Sequence, residues 1–353
     1  MTLLEVCQWG EQRLAAVNIK EARLDAWYLL EHAAGISRAA YYARPDKELD
    51  PFIEEKYREY IEKRSKRIPL QHITGVQEFM GLAFQVNDHV LIPRQDTECV
   101  VENALEILKG IIEESSREGF FAQQAGRTEE EGRSQGKEEE KRVRILDMCT
   151  GSGCILLSIL HYGREYICQA DAGIVNRYVQ ESRPCREGRG TDAEEQGAMD
   201  PACRMKSGVI LEGIGADISK KAIETAQVNA GALGLEAGFR ASNLFEDIEG
   251  KFQMIVSNPP YIRTEVIDTL EEEVRVHDPR GALDGGEDGL YFYREIIQKS
   301  REHLVFGGYL IFEIGADQGA DVAGLMEQAG FCRLAVKKDL AGLDRVVIGV
   351  YDK

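Results

Sequence analysis

Arg144-Ile145-Leu146-Asp147-Met148-Cys149-Thr150-Gly151-Ser152-Gly153-Cys154-Ile155 is the stretch that decides the fold. Residues 144–149 form an apolar run of strand type. Two glycines follow, and from 154 to 162 the apolar residues recur at helical spacing. A strand, a Gly-rich turn and a helix in that order let backbone approach a ligand closely. The helix N-terminus adds oriented N–H groups. In a parallel α/β sheet such a turn lies at the carboxyl ends of the strands, where ligands bind.

Working outward, the period keeps switching. Residues 209–217, 252–257 and 309–314 read as strands, and 220–232, 290–304 and 316–329 as helices. That alternation predicts an α/β domain with a mostly parallel sheet. Residues 332–338 and 346–351 have only a short connection between them, which suits an antiparallel hairpin. Upstream, 78–86 alternates in strand fashion, Asn87-Asp88 supplies a turn and 90–92 returns, predicting a β-hairpin. Asp96 or Thr97 then caps a helix over 98–112. Before the hairpin, Leu14, Val17, Leu24, Trp27 and Leu30, then Phe52, Ile53, Tyr57 and Ile61, place helices over 2–67, interrupted at Pro45 and Pro51. Two polar stretches, about 113–142 and 163–207, lack the apolar content that offsets chain entropy, and read as a flexible linker and a loop insertion.

A chain of 353 residues suits one large domain plus a smaller one, and 43% hydrophobic residues suffice for a sizeable core. The net charge of -18 repels a phosphate backbone, so nucleic acid is disfavoured as the main partner. Eight cysteines include no CxxC pair, so they read as reduced, small hydrophobes, and the histidines form no pair at metal-ligand spacing. No metal is expected. The start Met1-Thr2-Leu3-Leu4-Glu5-Val6 has no basic segment before an apolar run, and no apolar stretch can span a bilayer. A cytoplasmic protein without a membrane partner is the expectation. Lys63, Arg64, Lys66 and Arg67 read as a solvated helix end.

The loop departs from two phosphate-binding patterns. Leu156 occupies the third glycine position of GxGxxG, and no Lys-Ser/Thr follows. Both count against a pyrophosphate ligand and leave a tight structural turn as the alternative. Asp217 closes the second strand, where a carboxylate can accept hydrogen bonds from both hydroxyls of a ribose. It can also serve as a helix N-cap, although Ser219 fills that role. Asp147 can either hold the loop through backbone N–H groups or face a ligand's amino group.

Asn258-Pro259-Pro260-Tyr261 follows the strand at 252–257 and is the most specific feature of the chain. Two prolines fix two φ angles and remove two donors, and Asn258, preceding a proline, is held extended. The result is a stiff elbow presenting the Asn258 amide, the Pro259 carbonyl and an aromatic ring. A planar NH2 group has a delocalised lone pair and is a poor nucleophile. The Asn258 oxygen and the Pro259 oxygen can each accept one of its hydrogens, which orients the nitrogen and favours positive charge on it as a methyl group arrives. Tyr261 can stack on the flat group. A structural Asn-Pro turn is the alternative.

The sequence resembles the peptide-chain release factor glutamine N5-methyltransferases, over nearly the whole chain outside the two insertions. The resemblance rests on Pro69-Leu70-Gln71-His72-Ile73-Thr74-Gly75, Leu91-Ile92-Pro93-Arg94-Gln95-Asp96-Thr97-Glu98, the loop Thr150-Gly151-Ser152-Gly153, the elbow, and Ala282-Leu283-Asp284-Gly285-Gly286. It implies an α/β, Rossmann-like class I S-adenosylmethionine-dependent methyltransferase. A small all-helical domain at 1–75 engages the protein substrate, a β-hairpin linker covers 76–93, and the methyltransferase domain covers 94–353. The implied cofactor is S-adenosyl-L-methionine, held by Asp147, Cys149, Thr150, Gly151, Ser152, Gly153, Asp217, Asn243, Leu244 and Asn258. Asn258, Pro259, Pro260 and Tyr261 bind the substrate amide, with Asn258, Pro259 and Tyr261 in the catalytic roles. The implied partner is a release factor, methylated at the glutamine of its Gly-Gly-Gln motif, with no nucleic-acid substrate. Cys149 stands where a glycine is common, and Asn243 where an Asp is usual near the adenine. The elbow is shared with adenine N6-methyltransferases, which keeps such an enzyme as a rival, alongside a non-catalytic nucleotide-binding module and, more weakly, an NAD-dependent oxidoreductase.

Overall fold

A computed structural model describes residues 1–116, 141–181 and 209–352. In chain order the elements are α1 (Leu3–Ala15), α2 (Ala22–Ala34), α3 (Arg38–Ala43), α4 (Pro51–Ser65), α5 (Leu70–Thr74), β1 (Val76–Phe79), β2 (Leu82–Gln85), α6 (Glu98–Ser116), β3 (Lys141–Met148), α7 (Cys154–Glu181), β4 (Val209–Asp217), α8 (Lys220–Ala232), β5 (Gly238–Ala241) and β6 (Phe252–Ser257). They continue with α9 (Thr264–Ile267), α10 (Glu272–His277), α11 (Tyr291–His303), β7 (Leu304–Glu313), α12 (Gly319–Gln328), β8 (Phe331–Lys338) and β9 (Asp344–Tyr351). The chain divides into two compact units. One combines Met1–Arg94 with Pro260–Phe292, and the other combines Gln95–Pro259 with Tyr293–Lys353. Residues 260–292 thus join the helical unit, whereas the expected boundaries placed them with the sheet. No described helix is long and apolar enough to cross a membrane.

The first unit is built on α1, α2 and α4, whose apolar stripes bury Val6, Leu14, Leu29, Leu30, Tyr57 and Ile61 together. Thr2 and Glu5 close a capping box at the start of α1. Asp50 caps α4 with Pro51 in its first turn. Lys63 and Lys66 of the basic cluster are exposed, as a solvated helix end requires, but Arg64 and Arg67 depart from that reading. Arg64 is buried and donates Nε–H to Asp25 at 2.7 Å, and Glu273 accepts from both Arg64 and Arg67 at 3.3 and 3.2 Å. A charge on that face stays buried because it finds partners in α2 and α10. Arg94 donates to the buried Asp278 at 2.5 Å, a further tie between the two chain segments of this unit.

The hairpin also differs from expectation. β1 and β2 pair antiparallel around Met80-Gly81, with Phe79 opposite Leu82, and residues 90–92 form no strand. Met80 and Gly81 both have positive φ, 52° and 70°, the geometry of a two-residue turn that follows strand twist. Asn87-Asp88 resembles a turn equally well, but the alternation is satisfied in four-residue strands before it.

The second unit is a seven-stranded sheet in the order β5-β4-β3-β6-β7-β9-β8. β5 through β7 are parallel, and β9 runs antiparallel between β7 and β8. The hairpin β8–β9 is as expected, with its second strand inserted beside β7. β3 is the chain's first strand in the sheet, with β4 on one side and β6 on the other. The order reverses there, so the carboxyl ends of β3 and β6 flank a topological switch point. The short β5, masked in the sequence by its glycine and arginine, was not anticipated. The expected loop at 163–207 begins instead as helix, since α7 runs to Glu181. Gly163 explains the first added turn: a Cβ there would stand 2.8 Å from Leu108 of α6, so the helices pack closely, and Ile167 beyond it is buried. Residues 117–140, most of the expected linker, and 182–208 lie outside the described residues.

Candidate active site

Four parallel strands bring the site residues to one edge of the sheet. After β3, Cys149, Gly151 and Gly153 all have positive φ, 63°, 54° and 80°. Glycine enters that region freely, whereas an L-residue held there costs about 1–2 kcal/mol. Cys149 therefore carries strain at this position. Thr150 donates its hydroxyl to Asp147 at 2.6 Å and its N–H to Ala216 at 3.0 Å, which fixes the loop against β3 and β4. Asp147 is fully buried. Burial pushes its carboxyl up to about 7, opposed by the Thr150 hydroxyl. The contact made to the loop is the Thr150 hydroxyl on one carboxylate oxygen, and the other oxygen, Oδ1, is buried with no hydrogen-bond partner among the described residues.

Asp217 at the end of β4 accepts from Gly151 N–H at 3.0 Å through one oxygen and from Ser219 N–H at 2.8 Å through the other. Burial raises its carboxyl above the usual range, and those backbone donors pull it back. Ser219 caps α8 as expected, accepting from Ala222 N–H. Ser242 N–H donates to the Asp217 carbonyl at 2.9 Å, which sets the loop after β5 beside it. In that loop Leu244 is buried with a φ of 52°, and Asn243 donates its exposed amide to Glu246 at 2.8 Å. The arrangement has room for an adenosine-bearing cofactor. Nothing lies within 4 Å of a Cβ placed on Gly151, so there is open space over the loop, and Asp217 borders it with a carboxylate suited to two hydroxyls.

At the end of β6, Ser257 is buried and donates its hydroxyl to the Met148 carbonyl at 2.7 Å, fastening the elbow's base to β3. Asn258 is half-buried, and its Nδ2 donates to the buried Thr97 hydroxyl at 3.4 Å. The unit boundary runs through the elbow, with Asn258 and Pro259 in the sheet unit and Pro260 and Tyr261 in the helical one. Sequence reasoning treated Thr97 only as a helix cap. Its place in Asp96-Thr97-Glu98, a segment quoted for the resemblance, was the available signal.

Methyltransferases of class I are built on this sheet, and the chain is one of them. Residues 206–278 match the family described as "Methyltransferase small domain", and residues 5–75 the "PrmC N-terminal domain". Three relatives are each called "Release factor glutamine methyltransferase". The one from Geobacter sulfurreducens is 33% identical over 99% of this chain and 96% of its own length. That from Caulobacter vibrioides is 34% identical over 99% and 97%, and that from Agrobacterium fabrum 34% over 96% and 93%. The chain belongs to the release factor glutamine methyltransferase family.

Proposed function

We propose that this chain methylates the side-chain amide nitrogen, N5, of the glutamine in the Gly-Gly-Gln motif of release factors, with S-adenosylmethionine as donor and in the cytoplasm. The observation that carries the reading is the elbow Asn258–Tyr261 at the end of β6, across the switch point from the loop that follows β3. When bound, the cofactor supplies an activated methyl group on a sulfonium. Gly151 and Asp217 hold its adenosine part, with Asn243 and Leu244 at the β5 edge. The Asn258 Oδ1 and the Pro259 carbonyl accept the two amide hydrogens of the glutamine, so that its nitrogen points its lone pair at the methyl group. Positive charge developing on that nitrogen is stabilised by the same two acceptors until one proton leaves. Tyr261 covers the flat face of the amide. The net charge of -18 supports a protein rather than a nucleic-acid substrate.

Thr97 takes the Asn258 NH2 group and so leaves Oδ1 as the end offered to substrate. Thr97→Val removes that fixation and is expected to lower turnover about fivefold, the scale of one neutral hydrogen bond, while Thr97→Ser stays near wild type. Steady-state rates of the two variants check this, and equal rates would remove Thr97 from the arrangement.

Transfer of labelled methyl to a purified release factor, its Gly-Gly-Gln→Gly-Gly-Ala variant, bulk RNA and bulk DNA tests the function. Label on the wild-type factor alone is expected. Label on nucleic acid would move the activity to the adenine N6 class, and no label anywhere to a binding module.

A further inference from the structure

The segment Ala282–Gly286 packs directly behind the elbow's aromatic residue. A Cβ built on Gly285 would stand 2.7 Å from Tyr261 Cα, 2.8 Å from the Tyr261 carbonyl carbon and 2.8 Å from the Pro260 oxygen. All three are backbone atoms, which cannot swing aside as a side chain can. Gly285 has no positive φ, so its reason for being glycine is this close approach and not its own conformation.

The approach is held by a short ladder. Ile262 N–H donates to the Leu283 carbonyl at 2.9 Å, and Gly285 N–H donates back to the Ile262 carbonyl at 2.8 Å. This is a parallel bridge between Ile262 and Asp284. Thr264 N–H donates to the Gly286 carbonyl at 3.0 Å. Asp284 completes the ladder from the side: its Oδ1 accepts the Thr264 hydroxyl at 2.6 Å and the Gly286 N–H at 3.1 Å. Residues 261–264 are thereby laid against 283–286 one after another, starting at Tyr261. Pro259 and Pro260 stiffen the elbow from its own side, but the chain leaving it has no proline to do so. The ladder supplies that stiffness.

We propose that Gly285 and Asp284, acting with Thr264, are positioning residues for methyl transfer: they set the backbone height of Tyr261 and hence the face on which the substrate amide rests. The inference depends on the reading of Tyr261 given under Proposed function. A Cβ contact becomes ordinary at 3.4 Å, so Gly285→Ala must push the Tyr261 backbone back by about 0.7 Å. A displacement near 1 Å in a reacting geometry costs up to about a hundredfold in rate.

The test compares Gly285→Ala, Gly281→Ala, Thr264→Val and Thr264→Ser in the full-length enzyme, with turnover counted per cofactor-binding site by calorimetric titration. Gly281 is the control, since nothing lies within 4 Å of a Cβ there. Gly285→Ala is expected to lose about tenfold or more in kcat on the release factor while its cofactor Kd stays within about twofold, and Gly281→Ala to match wild type. Thr264→Val is expected to lose severalfold and Thr264→Ser to recover most of it. Wild-type turnover in Gly285→Ala, or turnover and cofactor affinity falling together, overturns the proposal. Where Gly285→Ala does not fold, the Thr264 pair decides: Val and Ser variants of equal rate overturn it, and rescue by Ser upholds it. Wild-type enzyme on the Gly-Gly-Gln factor and its Gly-Gly-Ala variant is run beside them. Failure of that control indicts the functional reading, whereas failure of the variants alone indicts only the positioning role.

Discussion

Asn258→Ala is expected to cut turnover by about a hundredfold or more, while cofactor affinity changes only a few-fold at most. The size follows from what the side chain does. The amide nitrogen of a glutamine is a poor nucleophile until both its hydrogens are held, and alanine removes one of the two acceptors. The loss is expected to fall chiefly on the reacting arrangement, because Asn258 stands at the end of β6, whereas the groups proposed to hold the adenosine follow β3, β4 and β5. Kcat should therefore fall with KM for cofactor little changed. Single-turnover methyl transfer with calorimetric cofactor binding measures both. Unchanged turnover would remove Asn258 from the mechanism.

Asp217→Ala should do the reverse. Its carboxylate anchors Gly151 N–H, borders the open space over that loop and carries the charge that suits two ribose hydroxyls. Loss of a charged acceptor costs about 1.5–3 kcal/mol, so cofactor Kd should rise about ten- to a hundredfold, with kcat at saturating cofactor much less affected. Calorimetric titration gives the answer directly, and a wild-type Kd in the alanine variant would refute the ribose assignment.

The parts of this molecule that were legible in sequence are those with a strong period or a rigid dipeptide. The runs at 209–217 and 252–257 coincide with β4 and β6 to the residue, because both are bounded by sharp signals: Asp217 before Ser219, and Asn258 before two prolines. The β8–β9 hairpin was readable because its connection is too short for a helix. The Met80-Gly81 turn was not, since the first of its two successive positive φ angles is carried by a methionine, a residue with no turn preference. β5 was missed because four residues hold little pattern. At the site, Cys149–Gly153, Asp217 and the elbow could be placed from strand ends. Thr97 and Gly285 could not, because each matters through a neighbour far away in sequence: Thr97 through Asn258, Gly285 through Tyr261. The inward turn of Arg64 escaped for the same reason, as Asp25 and Glu273 sit on other elements.

The helical unit is assembled from two stretches of chain separated by most of the sheet unit, and this bears on how the protein is made. Arg64, Arg67 and Arg94 meet Glu273 and Asp278 only after the ribosome has passed residue 278. Until then the nascent helical body carries three arginines without those carboxylates. Bringing the late stretch back is a high-contact-order event, whose loop-closure entropy must be met before the contacts reward it. Completion of the helical body, and with it the seat of Tyr261, is therefore a late step in synthesis, set only once the stretch through Gly286 is available.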